Sequence, residues 1–557
     1  MHHQFAQLLE RHTPPINRDV MDGLACKYMQ QTEAYVDEVF RSASASFPTG
    51  LEYIGYERCT PEEEYLETTK SRNNKRMFDI ARSDLYSVKY KFTYLNEPLP
   101  PRYISLPYVL DGGVMTLGGA KFHVTPVISD KVISPGSDSV FVRLLRYKII
   151  FKRCYHSMVY DGHRETTHVI WSQIYRKAAD NKKVPDTTRA QTSLCHYLFA
   201  KYGFTRTFEH YAGVIPIVGY DEINTNTYPP DQWVICESSQ IKPKTFIGDY
   251  YRPNTMRLAI PRSHWNTTVK GLVVGFYYVI DHFPDRFKPE YLDHTQLWMI
   301  LLGHIVFSGV FGENKLYSQI SEHFISLDDY IDTIVSKKLA ECGYRVESFY
   351  DLLILVITEF NTLVLDSNAT SNSMFGKSLE VLYYMLYDIS SSIFKVNFRL
   401  VKLATKKTLS RDDIIETFNR EMRPGAIYGL ASGKIITESV SYSGDHKYPK
   451  ITSKITEQES LPGAMRGKSK RLSIGTDKHL DASMIEAGSM LFLSKSNPSP
   501  TNRISPYVKI DLSTGTILQN PQFVEMLART QRLLKGISQS TLVIDLAGDL
   551  DDTAIPD

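Results

Sequence analysis

The feature that most constrains this chain is a block of helical patterning set inside strand-rich sequence. Residues 288–307, 327–341, 347–365 and 376–400 carry apolar residues at three-to-four spacing, the repeat of a helix with one buried side. Before them, residues 86–94 (YSVKYKFTY) alternate like a half-buried strand. Residues 103–153 read as short strands separated by glycine turns. A helical block between strand-rich parts predicts an α+β, multidomain fold of mixed strands and helices. At 557 residues the chain exceeds what one core holds.

Local signals fill in this outline. Residues 16–45 read as a helix with Val20, Leu24, Tyr28, Val36 and Phe40 on one side. Pro98, Pro100 and Pro101 interrupt the strands that follow. The runs MRLAIPR and LVVGFYYVIDHF look strand-like, the second being dense in β-branched and aromatic residues. Ser326 and Asp328 are candidate caps for the helix over 327–341. SRDDIIETFNREM places a capping serine before acidic first-turn residues and predicts a helix from Ser410. Gly, Ser and Pro accumulate from 424 to 471, as in an extended segment. SMLFLSK and YVKIDL read as strands, and 521–536 as an amphipathic helix before an acidic end.

Several function classes lose support from what is absent. No phosphate-binding loop, nucleophile elbow or His-Glu-x-x-His pattern occurs. No two of the six cysteines have C-x-x-C spacing, which argues against a structural zinc site. His123, His156, His163, His168 and His196 show no ligand spacing and read as ordinary core or surface histidines. The closest approach to a metal-binding carboxylate cluster, Asp549, Asp551 and Asp552, sits in the acidic tail and reads as solvated. The longest apolar stretch, Leu297 to Phe311, is short for a membrane span and reads as a buried core helix. Lys and Arg number 64 against 62 Asp and Glu, so any contact with nucleic acid must come from local patches.

Three stretches carry a resemblance: residues 76–97, 104–136 and 479–511. In the second, Leu106-Pro107, Gly112-Gly113, Gly118-Gly119, Lys121 and Ser134-Pro135-Gly136 follow one another as consecutive hairpins would. This order resembles a signature of the β subunit of multisubunit DNA-directed RNA polymerases. Gly118-Gly119-Ala120-Lys121 stands where the cellular pattern has Asn-Gly-x-Glu. All three stretches are most similar to the N-terminal part of the split β subunit of phiKZ-like jumbo bacteriophages.

The resemblance implies a layout. A protrusion-like part would occupy 1–150 and, as a helical second part, 345–440. A lobe-like insertion would take 151–344, and a fork-like segment with the tail 441–557. Such a chain walls the cleft that holds template DNA and the RNA–DNA hybrid. It would carry no catalytic residue and no cofactor of its own. The Mg²⁺ would lie on a β′-like partner, and a separate chain would continue the β fold. The basic stretch from Lys447 to Lys478, with eight cations against three acids, would face nucleic acid. Arg466, Lys468, Lys470 and Arg471 are the first candidates there, Lys495 and Arg503 the second. The place of action would be the infected bacterial cell, in cytoplasm or a phage-made compartment, with the virion as a further location. A strand-rich, Tyr-rich chain without catalytic motifs also fits a phage virion structural or assembly protein. A stand-alone nucleic-acid-binding protein fits less well, given the near-neutral charge.

Overall fold

The structure is a computed structural model. It describes residues 24–422 apart from short gaps, of which 71–83 and 175–191 are the longest, then 437–439, 451–453, 483–488 and most of 501–532. Its helices and antiparallel sheets make the α+β fold expected from the patterning.

The first part of the chain builds a small sheet under a helix. Helix α1 (Thr32–Ser44) is followed by strand β1 (Leu51–Arg58), β2 (Leu85–Tyr94) and β3 (Arg102–Pro107), with β2 between the other two. In β2 every second residue is buried, so Tyr86, Val88, Tyr90, Phe92 and Tyr94 point into the core. Lys89, on the other side, meets Glu63 at 2.6 Å. This is the alternation the sequence predicts over 86–94. Strand β4 (Val127–Ser129) then ends this part of the chain.

A second core follows at once. It gathers buried residues from Val132 to Leu363, whereas the first core gathers 24–128 and resumes at 374. Strand β5 (Ser139–Arg143) leads into β6 (Lys148–Tyr160) and β7 (His163–Ser172). β6 and β7 form a hairpin through Asp161 and Gly162, with φ of 51° and 72°. Both turn residues need positive φ, and Asp-Gly is the pair that tolerates it. β6 buries Phe151 on one side and, seven residues on, Met158 on the other. Helix α2 (Leu194–Tyr202), strand β8 (Trp233–Ser238), strand β9 (Arg257–Pro261) and helix α3 (Thr267–His282) complete the strand-rich half. β7, β6, β8 and β9 lie side by side in that order within an eight-stranded antiparallel sheet. Helices α4 (Thr295–Val306), α5 (Glu313–Asp328), α6 (Thr333–Glu341) and α7 (Phe349–Leu365) add to the same core, with α7 lying against the sheet.

The chain then returns to the first core. Strand β10 (Ser378–Glu380) pairs antiparallel with β4, Leu379 opposite Ile128. Helix α8 (Tyr383–Ala404) packs on α1, and α9 (Arg411–Glu421) closes the core by setting Phe418 5.0 Å from Phe92. A short hairpin at Lys509–Ile510 and Ile517–Leu518 adds to its edge.

Several local expectations need correction. LVVGFYYVIDHF is the body of helix α3, not a strand. The helix is buried almost all round, so no polar side marks its period, and β-branched residues dominate its composition. The start signal is Asn266, whose side chain accepts from Val269 N at 2.9 Å. The cap of α6 is Asp332, accepting from Val335 N at 2.8 Å, rather than Ser326 or Asp328. Ser326 lies within α5 and donates to the His323 carbonyl, and Asp328 ends that helix. The Ser410 expectation holds: Ser410 and Asp413 form a reciprocal capping box. Leu297 to Phe311 contributes core helix α4, and among the described residues no helix is long and apolar enough to cross a membrane. The strand expected at SMLFLSK lies outside the described residues.

Candidate nucleic-acid interface

Arg466, Lys468, Lys470, Arg471, Lys495 and Arg503 all lie outside the described residues, as do all the glycines of the 104–136 stretch. Lys121 falls in the strand Ala120–Val124. The described surface nevertheless holds a basic feature that the sequence reading passed over.

Helix α8 buries Ile389, Ile393, Val396 and Leu400, spaced four, three and four. Lys395, Arg399, Lys402 and Lys406 repeat the same spacing on another side. At 3.6 residues per turn the two stripes lie roughly 120° apart around the axis, so burying one presents the other to solvent. Lys406 stands just past the helix end, where Lys406 N still bonds to the Leu403 carbonyl and extends the turn. The stripe is roughly 16 Å long at 1.5 Å rise per residue. Phe394 and Phe398 stack beside it, 6.2 Å apart, and Lys402 lies over the Phe398 ring. No carboxylate occurs between Lys395 and Arg411.

Neighbouring elements supply some counter-charge. Arg399 meets Glu421 at 2.9 Å and Lys402 meets Glu322 at 3.2 Å. Lys407 bonds Asp413 at 2.7 Å within the cap of α9. Among the described residues Lys395 and Lys406 make no ion pair. Exposed pairs such as Lys402–Glu322 contribute about 0–1 kcal/mol, so a phosphate can replace the carboxylate at little loss. The arrangement can grip a phosphate backbone; it offers no means of reading bases.

The described residues contain no arrangement that does chemistry on its own. No group of three or more His, Cys, Asp or Glu is placed to hold a metal ion. The nearest thing to a triad is His156, Asp281 and Ser238. His156 Nε2 lies 3.0 Å from Asp281 Oδ2, and the Ser238 hydroxyl donates to Asp281 Oδ1 at 2.8 Å. The carboxylate sits in the middle, so the serine faces an acceptor and not a base, and nothing activates it. All three side chains are buried and tie helix α3 to β6 and β8.

The described residues thus offer two cores and a helix with a basic stripe, and no metal centre among them. A family model described as non-virion RNA polymerase subunit matches residues 6–529, nearly the whole chain. The chain therefore belongs to the non-virion RNA polymerase subunit family. No curated protein matches it. The match lends no support to a virion structural or assembly protein.

Proposed function

We propose that this polymerase subunit is the N-terminal part of a split β subunit and forms one wall of the cleft for template DNA and the RNA–DNA hybrid. In this reading the protrusion-like parts (1–150 and 345–440) and the lobe-like insertion (151–344) map onto the two cores, with the insertion's core reaching further at both ends, from 132 to 364, and the resumed core reaching past 440 into the fork-like segment. Catalytic Mg²⁺ resides on a β′-like chain, where two metals stabilise the attacking and leaving oxygens of nucleotide addition. A further chain continues the β fold. The enzyme acts in the infected cell, in keeping with a non-virion polymerase.

The observation that carries the reading is the stripe Lys395, Arg399, Lys402 and Lys406 on α8, turned away from the core. Its length matches about four or five phosphates of one strand at 3.4 Å each. The segment with Arg466, Lys468, Lys470 and Arg471, joined by Lys495 and Arg503, would add a second grip beside it.

The test is a Lys395→Ala, Lys402→Ala, Lys406→Ala variant of the assembled polymerase. Retention of DNA should weaken, and the slope of log affinity against log salt should fall by about two to three. Unchanged affinity and slope at every salt concentration would remove α8 from the cleft wall.

A further inference from the structure

Where the two cores meet, the structure holds a cavity of about 390 Å³. Helices α1 and α6, the β4–β5 crossing, strand β10 and the 511–518 turn all contribute to its wall. That size is within the range of sites that enclose a ligand or a side chain.

The buried side of the cavity is rich in charge. Glu380 is pinched between Arg143, at 2.8 Å, and Lys338. Burial alone would raise its carboxyl, but the two cations outweigh burial and hold it at about 2. Asp130 binds Lys377 through Oδ1 at 2.5 Å, and its side chain is 3% exposed. Its second oxygen, Oδ2, is buried and has no hydrogen-bond partner among the described residues. A buried carboxylate oxygen of this kind calls for a donor.

The rim is acidic where the inside is already committed. Glu38 and Glu341 form no ion pair or hydrogen bond among the described residues, and Asp511 spends its oxygens on the Ser513 and Thr514 turn. Burial first, and then the nearby Asp511, raise the Glu341 carboxyl, against the pull of Lys338 and Lys337. Lys131 and Lys337 also line the rim. Arg143, Lys338 and Lys377 are occupied by Glu380 and Asp130, and the charges of the wall balance as a whole, so what is left for an incoming donor is the uncommitted carboxylates Glu38 and Glu341. Tyr28 and Tyr35 stack flat, 5.4 Å apart and 1° from parallel, and give the wall an aromatic side. Ile334, Val381 and Leu386 supply an apolar lining. Acceptors, a ring and an apolar lining together suit the head and aliphatic stem of an arginine.

We infer that this cavity is a docking socket for an arginine side chain of a neighbouring polymerase subunit. The inference rests on membership of the subunit family and not on the cleft-wall reading. It gives the seam between the cores a role in assembly, because one inserted side chain would touch both.

Two measurements on the full chain test it. Cys342 lines the cavity and is half-buried, so it reports occupancy without any substitution. Its alkylation by iodoacetamide should slow at least tenfold in the assembled polymerase relative to the chain alone. Equal rates, or protection that requires added DNA, overturn the proposal. The charge reversal Glu38→Lys with Glu341→Lys should cut co-purification of the other subunits at least tenfold with an unchanged melting temperature. Assembly at the wild-type level overturns the proposal too. Should the doubly reversed chain melt early, Glu38→Gln with Glu341→Gln replaces it and should still lower subunit retention.

Discussion

Lys377 Nζ lies 2.5 Å from Asp130 Oδ1, with both side chains almost wholly enclosed. The two residues are 247 positions apart, one on each side of the inserted core. Arg143 and Lys338 of the insert close on Glu380 of the resumed core nearby. The junction between the cores is thus held by charge as well as by the β4–β10 pairing.

Breaking that pair from one side should be far worse than removing it whole. Lys377→Met leaves Asp130 enclosed without its cation and should cost about 3–5 kcal/mol. Lys377→Met combined with Asp130→Leu should recover most of the loss. Urea denaturation of the three chains measures it, and equal loss in single and double variants would show that packing, not charge, governs the site.

Stability should fall with acid in two overlapping windows. Burial lowers His196 to about 4 despite the hydrogen bond it donates to the Trp298 carbonyl, and burial lowers His323 to about 4. Both are neutral in the fold, and the unfolded chain takes up protons first, at the ordinary histidine value of 6.5. Their stabilisation is therefore complete above pH 6.5 and is lost as pH falls toward 4. Glu380 acts lower, from 4.5 down to about 2, because its carboxylate is the favoured form in the fold. Melting temperatures from pH 7.5 to 3 should show the first decline, and His323→Gln should flatten part of it.

A methyl group at Gly275 should unsettle the insert. A Cβ built there lies 2.2 Å from Cys195 Sγ and 2.6 Å from Cys195 Cβ, where α3 crosses α2. Gly→Ala within a helix ordinarily gains about 0.5–1 kcal/mol. Here overpacking costs about 1–3 kcal/mol and wins. Gly275→Ala should lower stability in chemical denaturation, and any gain would mean the two helices part easily.

The β2 turn offers the opposite case. Leu95 has φ of 50° and is 64% exposed, so it bears left-handed strain with little burial in return. Leu95→Asn should add about 0.5–1 kcal/mol. A loss on thermal melting would show that the leucine is held by contacts beyond its own turn.

Much of the fold could be read from local pattern, and the misses share a cause. β2 alternates because one side is wet, and the Ser410 capping box is a purely local device, so both are legible. Helix α3 misleads because burial from every direction erases the polar side that would reveal its period. Helix α2 is buried in the same way over Leu194–Ala200 and goes unread. The Asp161-Gly162 hairpin had a clear turn signal, but its strands change buried side midway, which spoils simple alternation. The α8 stripe was present in the spacing of four cations. It goes unseen when the helix is read only for apolar residues and ended at 400. The cavity at the seam joins residues hundreds of positions apart, and no local pattern announces it.

The pairing of Ile128 with Leu379 places the two crossings between the cores next to each other. The insert from 132 to 364 is therefore flanked by a pair of bonded strands, and ion pairs at Glu380 and Glu322 tie it to the resumed core as well. Ser129 joined to Ser378 by a short turn would leave the parent strands in register, a graft point built into the molecule.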